Sequence, residues 1–337
     1  MEFLYEYGLF LAKAVTLVVA ILVVLGMLAA MRSKGKTTDG EIEIRDLSED
    51  YERRQKHFEE QLVPSKLLRK QRKEQAKADK HKAKKDSEKR KRTLFVIDFK
   101  GSMDAHEVGA LRDEISAVLT VADANEDEVL LRLESGGGVV HGYGLGASQL
   151  ERLRHAGIPL TVAIDKVAAS GGYLMVVVGQ RILAAPFAFI GSIGVIAQLP
   201  NFHRLLKRND VDFEQHTAGQ YKRTLTMFGE NSEEGREKFR EELALIHAQF
   251  KEHVGRLRPQ LDVDAVATGE VWSGVEAHRR GLVDDLLTSD DLVTARCADQ
   301  EWQVVAVRRK VAQPLAKRLA RQGAELTRRL VQRALAA

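Results

Sequence analysis

From Ala14 to Met31 the chain runs 18 residues without a charge (AVTLVVAILVVLGMLAAM). That length sits near the lower limit for a bilayer-spanning helix. Leu9 to Leu11 can extend it, with Lys13 snorkelling toward one interface. An uncleaved anchor over residues 1–32 is expected. A cleaved signal peptide is the competing reading, opposed by the acidic start (Glu2, Glu6) and an apolar core longer than a signal h-region. Residues 33–92 lose most large apolar side chains and read as a polar, helix-prone linker. Tyr51, Phe58, Leu62 and Val63 can form one short amphipathic helix there before Pro64 interrupts it.

At Thr93 the texture changes. TLFVIDF suits a buried strand, and Val108, Leu111, Ile115 and Leu119 mark a helix within Ala105–Ala122. A strand at Glu128–Leu133, a Gly-rich turn, a helix through Tyr143–His155 and a strand at Leu160–Ile164 follow, then a helix from about Gly172. Strands alternating with helices at this spacing imply βαβ crossovers and a mostly parallel sheet, an α/β fold class. A long helix over Ser232–Leu257 carries Phe239, Leu243, Ile246, Phe250, Val254 and Leu257 on one stripe and ends before Pro259. Tyr173–Leu199 is nearly all apolar, but Gly179, Pro186, Gly191, Ser192 and Gly194 suit a buried helix, turn and strand better than a second span. The main folded domain is expected over 93–311. Residues 312–337 form a basic helix candidate with Leu315, Leu319, Leu326, Leu330 and Val331 on one face, either a packing arm between subunits or a membrane-surface helix.

Charge refines this layout. The chain of 337 residues has a formal net charge of +4, and the Lys66–Arg92 stretch alone contributes +10. The basicity is a segment: either a solvated spacer or a contact with anionic lipid headgroups beside the anchor. A nucleic-acid partner is not expected, because the basic groups are not organised on a folded face with aromatics nearby. The single cysteine, Cys297, excludes an intramolecular disulfide and a Cys-cluster metal site, and reads as a small packed side chain.

Three places could carry chemistry. In VAASGGYLM a strand, a tight small-residue turn and an apolar helix present Ser170, and the Gly171 N–H that follows is a natural oxyanion donor. A Ser N-cap of a buried helix is the alternative. A serine nucleophile needs a base, and no histidine sits in a context that recommends it. Lys222, in TAGQYKRTL after a Gly-containing turn, has the better setting, or else it and Arg223 are a solvated pair. A lysine serves as base only where burial leaves it neutral. The Gly-rich turn in Glu134–Gly144 can bring a second amide to a substrate; it has neither Walker nor GxGxxG spacing, so a nucleotide site is weakly supported.

These pieces, in this order, resemble the signal peptide peptidase A family, whose domains have the ClpP/crotonase fold with its repeated β-β-α and βαβ units. The family's S-P-G-G turn is matched by Ser135-Gly136-Gly137-Gly138, with Gly136 in the proline's place. A-S-G-G-Y is matched by Ala169–Tyr173, G-S-I-G-V by Gly191–Val195, and G-x-Y-K by Gly219–Lys222. The G-x-V-W-x-G-x-x-A-x-x-x-G-L-V-D stretch is matched without a gap from Gly269 to Asp284. The resemblance implies a serine endopeptidase with Ser170 as nucleophile, Lys222 as base, the Gly137 and Gly171 amides as the oxyanion hole and Ser192 orienting the lysine. It implies no cofactor and no metal. Anchor, charged linker and one catalytic domain look like the single-domain, membrane-anchored branch of the family. That branch implies peptide or membrane-protein-fragment substrates, remnant signal peptides among them. It also implies a ring-like homo-oligomer, an octamer, on the bacterial inner membrane. The family places the catalytic domain in the periplasm, while the Lys/Arg run after Met31 argues for the cytoplasmic side. The rival is a membrane-tethered ring of the same fold without turnover; an acyl-CoA enzyme is disfavoured by the anchor and by the Ser/Lys pair.

Overall fold

The computed structural model describes residues 41–68, 70 and 90–310, with isolated positions 7, 8, 10, 13 and 16 near the start. The expected anchor, the Lys-rich run and the 312–337 helix therefore lie almost wholly outside the described residues. Among the described residues, no helix is long and apolar enough to cross a membrane.

The strands β1 (Ile42–Asp46), β2 (Arg92–Lys100), β3 (Glu128–Glu134), β4 (Leu160–Ile164), β6 (Arg181–Ala184), β9 (Asp285–Leu286) and β10 (Trp302–Arg309) make a seven-stranded sheet, in the order β1-β10-β2-β3-β4-β6-β9. Every pairing from β10 to β9 is parallel. A second sheet joins β5 (Val167–Ala169), β7 (Phe189–Gly191) and β8 (Val271–Ser273), with β5 parallel and β8 antiparallel to β7. A bridge between Ser135 and Ala168 ties the end of β3 to β5. This is a mixed α/β fold around a large parallel sheet.

Parallel strands covered on both faces read as continuous apolar runs, and β2 does so: Leu94, Phe95, Val96, Ile97 and Phe99 are all buried. Leu94 and Val96 pack with Leu130, Ala163, Leu183, Trp302 and Val304 on one face. That face meets α1 (Leu47–Leu62) and α9 (Ser289–Ala298), which supply Leu47, Leu292 and Val293. Residues 42–62, read from sequence as linker, thus add a strand and a helix to the edge of the sheet. The helices α2 (Val108–Leu119), α3 (Val140–His155) and α4 (Gly171–Val176) bury Leu111, Ile115, Leu150, Leu153 and Met175. Cys297 packs, half-buried, against the α9 side of the core.

α6 (Glu233–Leu257) starts at Ser232, whose side chain accepts from the Gly235 N–H, and ends at Arg258 before Pro259. Of its stripe, Phe250 and Val254 are buried, while Phe239, Leu243, Ile246 and Leu257 are half-covered. The apolar Tyr173–Leu199 run resolves into α4, β6 and β7, the buried helix and strands expected in place of a second span.

Candidate active site

β5 ends at Ala169, and Ser170 turns the chain directly into α4. Ser170 has φ 50° and ψ −121°, a left-handed backbone for a residue with a side chain. Such a conformation costs about 1–3 kcal/mol and persists only where its surroundings fix it. Here the Ser170 N–H donates to the Gly191 carbonyl (2.8 Å), and its own carbonyl accepts from the Leu174 N–H (3.0 Å). The glycines after it are required by space. A Cβ on Gly171 would stand 2.5 Å from Tyr143 Cγ, and one on Gly172 would stand 2.7 Å from the Ser135 carbonyl oxygen.

Ser170 faces a cavity of about 290 Å³. Gly138 and Gly171 line it together with the serine, and Leu174, Ile196, Ile246 and Phe250 supply apolar lining. Its polar lining includes Glu151 and His253. His253 donates from Nε2 to the Leu174 carbonyl (3.1 Å), and its Nδ1 accepts from Arg256 (3.3 Å). Burial lowers the His253 pKa and favours the neutral ring that this bonding needs. Both ring nitrogens are engaged, so His253 is no base for Ser170. It lies four and three residues from Gln249 and Phe250 on α6, a helical spacing that could have brought it to notice in the sequence.

The Gly-rich turn lies against the serine. Gly137 has φ +88°, and a Cβ there would stand 2.7 Å from Ser170 Cβ and 2.8 Å from the Gly171 nitrogen. The Gly137 N–H donates to Ser135 Oγ (3.1 Å), and the Val139 N–H donates to the Met103 carbonyl (2.9 Å). Gly138, between them, borders the cavity.

Ser192 follows Gly191 at the end of β7, also left-handed at φ 50° and half-buried. Its N–H donates to the Glu270 carbonyl (2.6 Å). Since Ala169 pairs with Gly191 in parallel register, one further step sets Ser192 alongside Ser170. Lys222 is elsewhere. It is exposed, in a turn where its N–H donates to the Gly219 carbonyl (3.2 Å), and it takes no part in the cavity wall. Its segment, 200–231, holds itself together through stacked Phe202 and Phe228 rings, Phe213 against Phe228, and Asn201 bonding to Thr226 and Gly229 carbonyls. The chain thus brings Ser170, Gly137, Gly138, Gly171 and Ser192 together, and leaves Lys222 outside. Among the described residues, no group of three His, Cys, Asp or Glu side chains is placed to share a metal.

Two family models match almost end to end: the N-terminal domain of peptidase family S49 over residues 2–150, and the peptidase family S49 domain over 152–304. The chain belongs to peptidase family S49. The Ser135 turn falls in the first matched region, and Ser170, Ser192 and Lys222 fall in the second. A relative from Haemophilus influenzae, a probable protease SohB, is 47% identical over 98% of this chain and 96% of its own. A probable protease SohB from Buchnera aphidicola of Schizaphis graminum is 47% identical over 89% and 88%. Protease 4 of Haemophilus influenzae is 28% identical over 59% of this chain and 34% of its own. This S49 chain is accordingly a SohB-type peptidase, and hydrolysis of a peptide bond is the chemistry its site must perform.

Proposed function

We propose that this S49 peptidase is a serine endopeptidase with Ser170 as nucleophile and Lys222 as base, and that the two meet across a subunit boundary in a ring of ClpP/crotonase-like domains. The observation that carries the reading is the strained backbone of Ser170, held against the Gly171 amide and the Gly137–Gly138 turn at the mouth of one cavity. Ser170 Oγ attacks the scissile carbonyl as Lys222 takes its proton. The C–N bond then breaks as that proton passes to the departing amine, and water hydrolyses the acyl-enzyme with Lys222 again as base. Gly171 supplies one oxyanion amide. The Gly137 amide is already bonded to Ser135 Oγ, so Gly138, the next amide along, is the better-placed second donor. Each such donor is worth about 3–4 kcal/mol when removed from comparable sites. Ser192, beside Ser170 in register, orients the incoming Lys222 amine.

Exposure of Lys222 motivates the ring. A lysine base must be neutral, which needs a dry surrounding, and the segment that carries Lys222 displays Leu205, Val211, Phe213, Tyr221 and Phe228 to solvent. A second copy would cover that face and desolvate the lysine at once. Exposure of Lys222 also fits the rival reading, a ring without turnover. The apolar 14–31 stretch is proposed as an inner-membrane anchor with the catalytic domain in the periplasm, acting on membrane-protein fragments or remnant signal peptides. An extended substrate would dock as a strand, a side chain filling the apolar cavity.

Ser170→Ala and Lys222→Ala should each abolish cleavage. Lys222→Arg should do nearly as much harm, because a guanidinium keeps its proton. Mixing the two inactive alanine variants and letting subunits exchange should restore part of the activity, since some boundaries would join an intact serine to an intact lysine. No recovery on mixing, with both variants assembled, would sink the shared site. Full activity in either alanine variant would remove that residue from the mechanism, and an active monomer would end the ring.

A further inference from the structure

Tyr143, which the sequence marks only as the start of a helix, joins the Ser102 turn, the Ser135 turn and Gly171 behind the serine. It is fully buried on α3, one turn past the Gly-rich turn. Its ring lies under Gly171 so closely that a Cβ there would meet Cγ, Cβ and Cδ2 at 2.5–2.8 Å. Its hydroxyl donates to the Ser102 carbonyl (2.8 Å) and is bonded to Ser135 Oγ.

The proton directions follow by elimination. Tyrosine has one hydroxyl proton, and it goes to the Ser102 carbonyl, which can only accept. The proton between the two hydroxyls must therefore be the serine's: Ser135 Oγ–H donates to Tyr143 Oη. A lone pair on Ser135 Oγ then accepts the Gly137 N–H. The result is a directed chain, from Gly137 N–H to Ser135 Oγ–H to Tyr143 Oη–H to the Ser102 carbonyl, with no reversible link. Burial raises the Tyr143 pKa, so the phenol keeps the proton on which the chain depends.

The chain reaches Gly138 from both sides. On one side the Gly137 amide is fixed through Ser135. On the other, the Val139 N–H is fixed to the Met103 carbonyl, and Met103 follows Ser102, whose carbonyl Tyr143 holds. Space closes in as well, because the Gly138 Cα abuts the Met103 backbone with no room for a side chain. The Ser135 backbone is pinned too, its N–H donating to the Val167 carbonyl and its carbonyl accepting from the Ala169 N–H.

We infer that Tyr143 is the positioning residue of the oxyanion hole, setting the Gly171 amide with its ring and the Gly138 amide through its hydroxyl and Ser135. The inference rests on the serine-peptidase reading above. A merely structural tyrosine would stabilise the fold without favouring the charged tetrahedral state over bound substrate; Tyr143 favours that state, because its ring packs under Gly171 and its hydroxyl acts through Ser135 on the turn that carries the Gly138 amide.

The test uses the full chain. Tyr143→Phe keeps the ring and removes the hydroxyl that accepts from Ser135 and closes the chain on the Ser102 carbonyl. It should lower kcat about tenfold, a fraction of what loss of a whole donor costs, and leave KM unchanged. The affinity of a peptide aldehyde, whose hemiacetal oxygen occupies the hole, should fall by the same factor. Binding of an uncleaved peptide of that sequence, measured in a Ser170→Ala background, should not change. Ser135→Ala breaks the chain at its other link and should act in the same direction. The double variant should be no worse than the poorer single one, because both cut one chain. Wild-type kcat and aldehyde affinity in Tyr143→Phe would overturn the inference, as would losses that multiply in the double variant. A lowered melting temperature with kcat and aldehyde affinity intact would also overturn it, assigning the pair to stability alone. Turnover that survives Ser170→Ala would instead sink the parent reading, whatever Tyr143→Phe does.

Discussion

Gly171→Ala is the sharpest steric test of how Ser170 is held. The added methyl would stand 2.5 Å from Tyr143 Cγ and 2.8 Å from Cβ and Cδ2. Carbon atoms in contact prefer about 3.5–4.0 Å, so roughly 1 Å must be found by moving the ring or the Ser170 turn. Neither moves freely: Tyr143 is fully buried and bonded at its hydroxyl, and Ser170 is tied to Gly191. Overpacking of this kind costs about 1–3 kcal/mol, a fall of roughly 2–12 °C in melting temperature for a domain of this size. A displacement of about 1 Å at the reacting groups can cost on the order of a hundredfold in rate. Differential scanning calorimetry and peptide-cleavage kinetics on the same sample read both effects. Gly136→Ala is the control, since a Cβ there meets nothing within 4 Å, and it should change stability by less than about 0.5 kcal/mol. Wild-type melting and kcat in Gly171→Ala would refute the packing argument.

Three further outcomes follow from the packing around the site. Asp284 bonds the buried Arg258 through two nitrogens (2.6 and 2.9 Å), and Asp284→Asn should destabilise by about 3–5 kcal/mol in urea titrations at pH 7, because a buried guanidinium loses its counter-charge. Burial acts to raise the Asp284 pKa, but the Arg258 and Ile182 hydrogen bonds outweigh it and leave it lowered. Its stabilisation is thus present above the unfolded carboxyl pKa of about 3.9 and lost as pH falls through the lower folded value, so the variant should show a flatter acid limb below about pH 4. Gly255→Ala places its methyl 3.5 Å from a Val263 methyl inside α6, and calorimetry should show a gain of about 0.5–1 kcal/mol with activity unchanged. Trp302 is buried with the Arg92 and Arg296 guanidiniums 4.3 and 3.9 Å from its ring centre, and Trp302→Ala should cost about 3–5 kcal/mol, read from denaturant midpoints.

The parts of the fold legible in the sequence were those whose side chains are buried on both faces. β2, β3 and β4 lie within a few residues of the expected runs because Leu94–Ile97, Val129–Leu131 and Val162–Ile164 leave no alternation to misread. β1 was not legible: IEIRD is short, has three charged residues in five and is exposed in its middle, and it becomes a strand through its place beside β10. Three-residue β7 and β8 are too short to carry a period. The strand–serine–helix turn could be read because it is local. Tyr143 could not, since its partners lie 8 and 41 residues away and meet it only once the sheet has formed. The setting of Lys222 was not legible for a different reason: its segment is exposed in the single chain, and no apolar periodicity places it.

The position of β10 bears on how the protein is made. This strand, the last among the described residues, fills the gap between β1 and β2, so β2 keeps a bare edge until residue 309 has left the ribosome. At about 5–20 residues per second, the 209 residues beyond Lys100 take roughly 10–40 s to synthesise. During that interval the backbone of a strand carrying Leu94, Val96 and Phe99 is free to pair with any other nascent chain. A chaperone that binds extended apolar segments would have its natural target there. Truncations that end short of Trp302 should appear in the cell as aggregates, while truncations beyond Arg309 should remain folded.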